Sequence, residues 1–259
     1  MTTPILAPVE FEPPLVNPAA PGLFAATAWQ TDDVPRWLDG GKQFRVWNYS
    51  GDAFGVWTAP WCVAEDDLEP EDVKAGDRPD VPDPFLAMTV WAFDQCDLTE
   101  PSQAEVRAHA SQNLRLREQA AVEAEFAARM LADAGAPDTA ADIVGALGHL
   151  EGLLAVTNTV GFIHASAEWA ASAAQAQLIV RTGTGLKTPL GHTWVFGGGY
   201  VGAGGLTDTL VATSPTFGWR TEPEVRDAFK LEWNRFAAVA ERSLVVGYEA
   251  LVGAVDITG

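Results

Sequence analysis

The feature that most constrains this chain is a stretch without a helix breaker: from Ser102 to Ala134 there is neither Gly nor Pro. Pro101-Ser102-Gln103-Ala104-Glu105 has the form of a helix start, since proline in the first turn lacks only an N–H that has no intrahelical partner, and Gly135 supplies the stop. The pattern predicts one helix of about 30 residues, roughly 45 Å long at 1.5 Å per residue, far beyond the usual globular helix. Leu116, Ala120, Ala127 and Leu131 fall on one face, with Val122, Phe126 and Met130 beside it. Arg107, Arg115, Arg117, Glu118 and Glu125 provide wet or partner-facing edges. Such a helix is a spine around which the rest must be built.

Before it, residues 1–21 carry six of the 17 prolines, which remove donors and fix the backbone extended, so this stretch reads as an arm that cannot fold alone. Ile5, Leu6, Val9, Phe11, Leu15 and Val16 make the arm apolar enough to dock, and the expected host is a neighbouring subunit. From Leu23 to Asp97 the pattern is of strands and long loops, dense in aromatics that include Trp37, Trp47, Trp57 and Trp61. Gln43 to Tyr49 alternates polar and apolar and is followed by the turn signal Ser50-Gly51-Asp52 and by Phe54 to Trp57, which predicts a hairpin. An acidic loop, Glu65 to Pro84, then leads to the strand Met88 to Phe93. Residues 1–100 hold 18 acidic and five basic side chains, a net of −13 within a total of −19.

After the helix comes an α/β region: a helix near Thr139 to Ala155, a strand around Val160 to Ala165, a helix from Ser166 to Ile179, then Gly-rich strands and turns to Thr221. A short helix is expected from Pro223 to Phe229, and two strands from Phe236 to Tyr248 and Ala250 to Ile257. No repeat of 20 to 50 residues is visible.

The whole chain, 259 residues with 47% hydrophobic and 20% charged, is too apolar to stay disordered and has too few cysteines for a disulfide scaffold. Its acidity excludes general phosphate attraction as a route to nucleic acid. No run approaches the roughly 18 apolar residues of a membrane span, and Met1 to Pro21 has neither the basic start nor the apolar core of a secretory signal; a soluble, intracellular protein is expected. Cys62 and Cys96 are expected to be buried free thiols.

Searches for chemistry return little. Gly183 to Thr188 lacks the spacing of a phosphate loop, because Leu186 precedes Lys187 and Pro189 disfavours a following helix. Gly197 to Gly205 lacks a dinucleotide fingerprint and reads as a hairpin or loop. His109, His149, His164 and His192 are scattered, and there is no Gly-x-Ser-x-Gly elbow. The paired acids Asp66-Asp67 and Glu71-Asp72 read as a solvated charge run. No catalytic, cofactor-binding or metal-ligating residue is assigned.

The order of elements carries more. An arm, an acidic excursion, a long helix, an α/β unit and returning strands resemble the layout of a tailed-bacteriophage major capsid subunit. Lys187-Thr188-Pro189-Leu190-Gly191-His192-Thr193-Trp194-Val195-Phe196 is similar to a Thr-Pro-Leu-Gly segment of that family, and Leu210 to Thr216 to its following strand. Ala146 to Gly152, followed by Val160 to Ser166, resembles its helix, strand and small-residue turn. Ala240 to Tyr248 is similar to the terminal strands of phage capsids and of encapsulin shells. The motif resemblance covers about residues 100–258, and the composition suits an actinobacterial host.

The resemblance implies an α+β Hong Kong 97-like capsid fold with an N-terminal arm (1–28), an extended β loop with flanking strands (29–100), a spine helix of a peripheral domain (101–136), an axial domain (137–235) and terminal peripheral strands (236–259). It implies a structural subunit and not an enzyme, working without a cofactor and assembling with itself into hexamers and pentamers in a virion built in the host cytoplasm. Scaffolding, decoration or portal proteins and packaged DNA bound without sequence specificity are the implied partners, with no membrane. Phe11, Leu15, Trp37, Trp47, Trp57, Trp61, Arg115 and Arg117 are the interface candidates. An encapsulin-like shell, a minor virion protein and a soluble α/β enzyme are the alternatives. Lys42, Lys74 and Asn234 lie where some capsids of this fold crosslink, but no local motif matches.

Overall fold

In chain order, a short helix α1 (Leu23–Ala26) and strand β1 (Ala28–Gln30) follow the arm, and strand β2 (Met88–Cys96) leads into the long helix α2 (Glu100–Ala134). The structure is a computed structural model and describes residues 9, 11–30, 40–49, 54–183 and 185–259. Beyond α2 come β3 (Asp138–Ala140), α3 (Ile143–Thr157), β4 (Phe162–Ser166), α4 (Trp169–Gln175), β5 (Val180–Thr182), β6 (Gly185–Lys187), β7 (Thr193–Gly197), β8 (Thr209–Thr213), β9 (Thr216–Arg220), β10 (Glu224–Lys230), β11 (Arg235–Tyr248) and β12 (Leu251–Ile257). Helix α2 begins with Pro101 in its first turn and ends at Gly135, whose φ of 64° lies in the region that favours glycine.

Among the described residues the strands form two sheets. In the first, β2 runs antiparallel along one edge of β11, β9 and β10 follow one another along the other edge, and β1 adds in parallel outside β9. The second has the order β3-β12-β8-β4-β7-β6-β5. Helix α2 serves both. Its first half packs Val106, Ala110 and Leu114 onto Ala92, Phe236, Ala238 and Ala240 of the first sheet. Its second half packs Val122, Phe126 and Met130 against Leu23, Phe85, Tyr200 and Tyr248, in a core that joins the two sheets. Helix α3 buries Leu147, Leu150 and Leu154 against Ile163, Trp194, Leu210 and Val255 of the second sheet. Hydrophobic burial on both ends of one rod explains why 35 residues stay a single helix.

Several expectations change. Residues 224–230 are strand and not helix: they pair in register with 235–241 through a tight reversal at Asn234, in the left-handed region, and a helix there would leave the edge of β11 without partners. The expected hairpin is absent among the described residues of 43–49 and 54–57; instead Lys42 bridges Phe85 across the base of the excursion. Leu116 and Ala120 are exposed, because the buried stripe of α2 runs through 106, 110, 114, 118, 122, 126 and 130. Cys62 is exposed and Cys96 half-buried. The two terminal strands exist but part company: β11 is central to the first sheet, whereas β12 lies between β3 and β8 in the second.

Candidate assembly interface

The arm does not wait for a neighbour to find a seat. One stripe of α2 holds its backbone: Gln112 Nε2 donates to the Val16 carbonyl at 2.8 Å, Arg115 to the Asn17 side-chain oxygen, Gln119 Nε2 to the Pro21 carbonyl at 2.9 Å, and Glu123 accepts from the Leu23 N–H at 2.9 Å. Positions 112, 115, 119 and 123 share a face by helical spacing, so the arm runs along the helix in the same direction. The expectation of a host in another subunit therefore fails for residues 16–23, whose Val16 and Pro21 carbonyls, Asn17 side chain and Leu23 N–H all find partners on α2 of the same chain. The apolar side chains of the arm remain outside: Phe11 is 82% and Leu15 70% exposed.

Glu123 is the deepest of these contacts. Its second oxygen accepts from the Gly199 N–H at 2.8 Å, so one fully buried carboxylate joins helix, arm and the Gly-rich turn after β7. Burial raises its pKa, although the hydrogen bonds from Gly199 and Leu23 favour the charge. Gly199 permits this approach: a Cβ there would sit 2.0 Å from the Ala120 carbonyl oxygen. Beside it, Tyr200 Oη meets His164 Nδ1 at 3.1 Å and His164 Nε2 meets Thr213 Oγ1 at 2.9 Å. Burial lowers the His164 pKa to about 3, so this imidazole is neutral, and burial also pushes the Tyr200 hydroxyl up. These hydrogen-bonded pairs sit in a core with no opening to solvent, an arrangement that fixes geometry.

The described part of the excursion between β1 and β2 is pinned at two places. Arg129 donates to the Asp83 carbonyl at 2.9 Å and the Pro84 carbonyl at 3.0 Å, pairs with Asp133 at 2.8 Å, and lies 4.2 Å over the Phe85 ring. Glu249, between β11 and β12, accepts from the backbone N–H groups of Trp47 and of Asn48 (2.6 Å) and from the Asn48 side chain (2.7 Å). Partial burial would raise Glu249, but these bonds hold it below the usual carboxylate range. Beyond these anchors the described part of the excursion makes only two short 3-10 turns, Glu65–Asp67 and Pro70–Asp72.

Of the interface candidates, Trp47 and Trp61 are 74% and 89% exposed, and Phe54 and Val56 stand out beside them. Trp57 is half-buried under Lys74, whose Nζ lies 4.6 Å from the ring, and its buried indole N–H has no acceptor among the described residues. Trp37 lies outside the described residues. Arg115 and Arg117 are exposed on α2. Glu123, Glu249 and Arg129 were missed; a lone acid among Val122, Phe126 and Ala127 on an apolar stripe was a readable signal for Glu123, whereas Glu249 and Arg129 act on backbone that only the fold brings near.

A further exposed surface lies on the first sheet. Opposite α2, Trp91 and Phe93 of β2 face solvent, and Lys230 lies 5.7 Å over the Phe93 ring. Among the described residues no helix is long and apolar enough to cross a membrane.

No protein-family model matches this chain and no curated protein is similar to it. Solved structures are. A chain from the capsid of a native GTA particle aligns with a TM-score of 0.57 at 9% identity, covering 98% of this chain and 96% of that one. The capsid of an empty GTA particle gives 0.54 at 9% identity, covering 93% and 97%. A structure from Mycobacterium phage Adephagia gives 0.51 at 13% identity, covering 90% and 88%. At such identities the likeness is one of fold: the chain has an α+β fold shared, over nearly its full length, with chains that form particle capsids.

Proposed function

We propose that this chain is the major capsid subunit of a tailed phage, assembling with itself into the hexamers and pentamers of an icosahedral head around double-stranded DNA. The observation that carries the reading is the likeness to the GTA capsid chain, which spans 98% of this chain and 96% of that one. A second consideration agrees with it: Phe11 and Leu15 of the arm and Trp47 and Trp61 of the excursion are left uncovered by the subunit's own body, which suits a protein completed by its neighbours. Phe11, Leu15, Trp37, Trp47, Trp57 and Trp61 supply anchoring area, Trp burying much surface with few rotatable bonds. Arg115 and Arg117 line the edge of the spine helix.

In this reading the arm is residues 1–28, the excursion belongs to 29–100, α2 is the spine of a peripheral domain, and the second sheet with α3 and α4 is the axial domain. Strands β9 and β10 then go with the peripheral domain and β12 with the axial one, following the sheets. Scaffolding, decoration and portal proteins are the partners such a shell calls for, and assembly takes place in the host cytoplasm. The test is electron microscopy of the purified chain with light scattering on the same sample. Closed particles, or rings of five and six, are the expected result, with DNA in particles from infected cells. A uniform monomer or dimer, unchanged by co-expression with the other head proteins of its genome, would overturn it.

A further inference from the structure

In a chain where acids outnumber bases by 35 to 16, three guanidinium groups gather beside one carboxylate. Arg115 on α2, Arg220 at the end of β9 and Arg242 on β11 line adjoining clefts between the arm, α2 and the break between β9 and β10. Glu118 is their single acidic companion in the lining. Arg242 Nη1 meets its two oxygens at 3.1 and 3.2 Å, and the Arg242 Nε is buried without an acceptor among the described residues. Burial raises Glu118 against the pull of Arg242, and this one carboxylate is shared among three guanidinium groups. Arg220 lies 4.4 Å over the Trp29 ring and has no carboxylate within 4.0 Å among the described residues; Arg115 meets only the neutral Asn17. Stacking on an indole fixes a guanidinium's plane while leaving its N–H edge for a ligand.

The geometry points to a carboxylate-binding cleft, Arg115, Arg220 and Arg242, occupied by the acidic segment 65–83 of a second copy of this chain. Charge complementarity chooses the occupant. That segment holds nine acids and two bases, and Glu65, Asp66, Asp67 and Glu69 stand exposed on it. None of its residues lines the cleft of its own subunit, whose walls come from 18–29, 111–119 and 220–242. Donor and acceptor surfaces on different parts of one chain make a head-to-tail contact, the kind that closes into rings. Forked Arg–carboxylate bonds would set orientation as well as attraction.

The inference rests on the shell reading, and the experiment separates the two. The full chain carrying Arg115→Glu and Arg220→Glu, the full chain carrying Asp66→Lys, Asp67→Lys and Glu69→Lys, and a chain with all five changes are compared with wild type by light scattering and electron microscopy. Each partial set is expected to lower the assembled fraction at least tenfold, and the five together to recover most of it, which damage to folding alone would not do. Wild-type shells with unimpaired partial variants would overturn the cleft and leave the shell standing. If wild type gives no particles, a synthetic peptide of residues 64–84 is titrated calorimetrically into the full chain. Binding lost in the double Arg variant supports the cleft; no binding overturns it, as does binding of inorganic phosphate or duplex DNA in the peptide's place.

Discussion

Glu123 and His164 set opposite pH dependences within one core. His164 is held to about 3 against an ordinary 6.5. Between those values the unfolded chain takes up a proton that the folded one refuses, so stability falls as pH drops, at up to about 1.4 kcal/mol per pH unit. His164→Gln is expected to flatten that slope in denaturant midpoints measured from pH 7 to pH 4, and an unchanged slope would show that the imidazole is not buried neutral. Glu123, raised by burial, works the other way: the folded state holds its proton longer, so its contribution declines as pH rises just above the ordinary glutamate range. Glu123→Gln keeps the shape but replaces one acceptor by an NH2 group, leaving the Leu23 or Gly199 N–H unpaired. A loss of about 1 to 3 kcal/mol at pH 7 is expected from chemical denaturation. The pair was legible in part. An acid on an apolar stripe announces Glu123, but nothing near His164 in sequence announces Tyr200 or Thr213, which lie on the Gly-rich turn after β7 and on the neighbouring strand β8.

Elements were read well where a local rule decides and poorly where a partner does. The absence of Gly and Pro over 102–134 suffices for α2, and a left-handed Asn158 ends α3 as its sequence allows. Residues 224–230 read as helix because their strand is exposed along its whole length and owes its form to the edge of β11. The excursion kept alternation without pairing, since its apolar side chains have no second strand among the described residues to lie against. The close approach of the Gly-rich turn to α2 lives at this scale: Gly199→Ala drives a methyl into the Ala120 carbonyl and is expected to lower the melting temperature by several degrees, equivalent to about 1 to 3 kcal/mol. The arm gives the contrasting case. Among the described residues its hydrogen bonds to α2 begin at Val16, so deleting residues 2–15 is expected to move the melting temperature by less than about 2 °C while assembly fails. A large melting shift would mean that the arm's tip is part of the subunit's own core.

At the scale of the molecule, the subunit divides its aromatic residues between inside and outside. Phe85, Phe126, Tyr200 and Tyr248 close the core where the two sheets meet, while Trp47, Trp61, Trp91 and Trp233 are all more than half exposed. Composition alone registers ten Trp and cannot say which serve which purpose, because burial in the core and burial between subunits ask for the same side chain. In the excursion two of the described rings lie outside the core: Lys42 and Phe85 close the base, Glu249 holds Trp47 and Asn48 by their backbone, and the Trp47 and Trp61 rings stay exposed. Trp47→Ala and Trp61→Ala should therefore leave the isolated subunit's denaturation midpoint within about 0.5 kcal/mol of wild type, as for surface substitutions in general. The same changes should lower the yield of assembled particles several-fold, as the loss of an anchoring aromatic at an interface does. Phe126→Ala is the control, expected to cost the subunit about 3 to 5 kcal/mol before assembly begins. Equal loss of subunit stability in all three would mean that the exposed tryptophans fold back onto their own chain in solution, and the excursion would then have to be reassigned from interface to core.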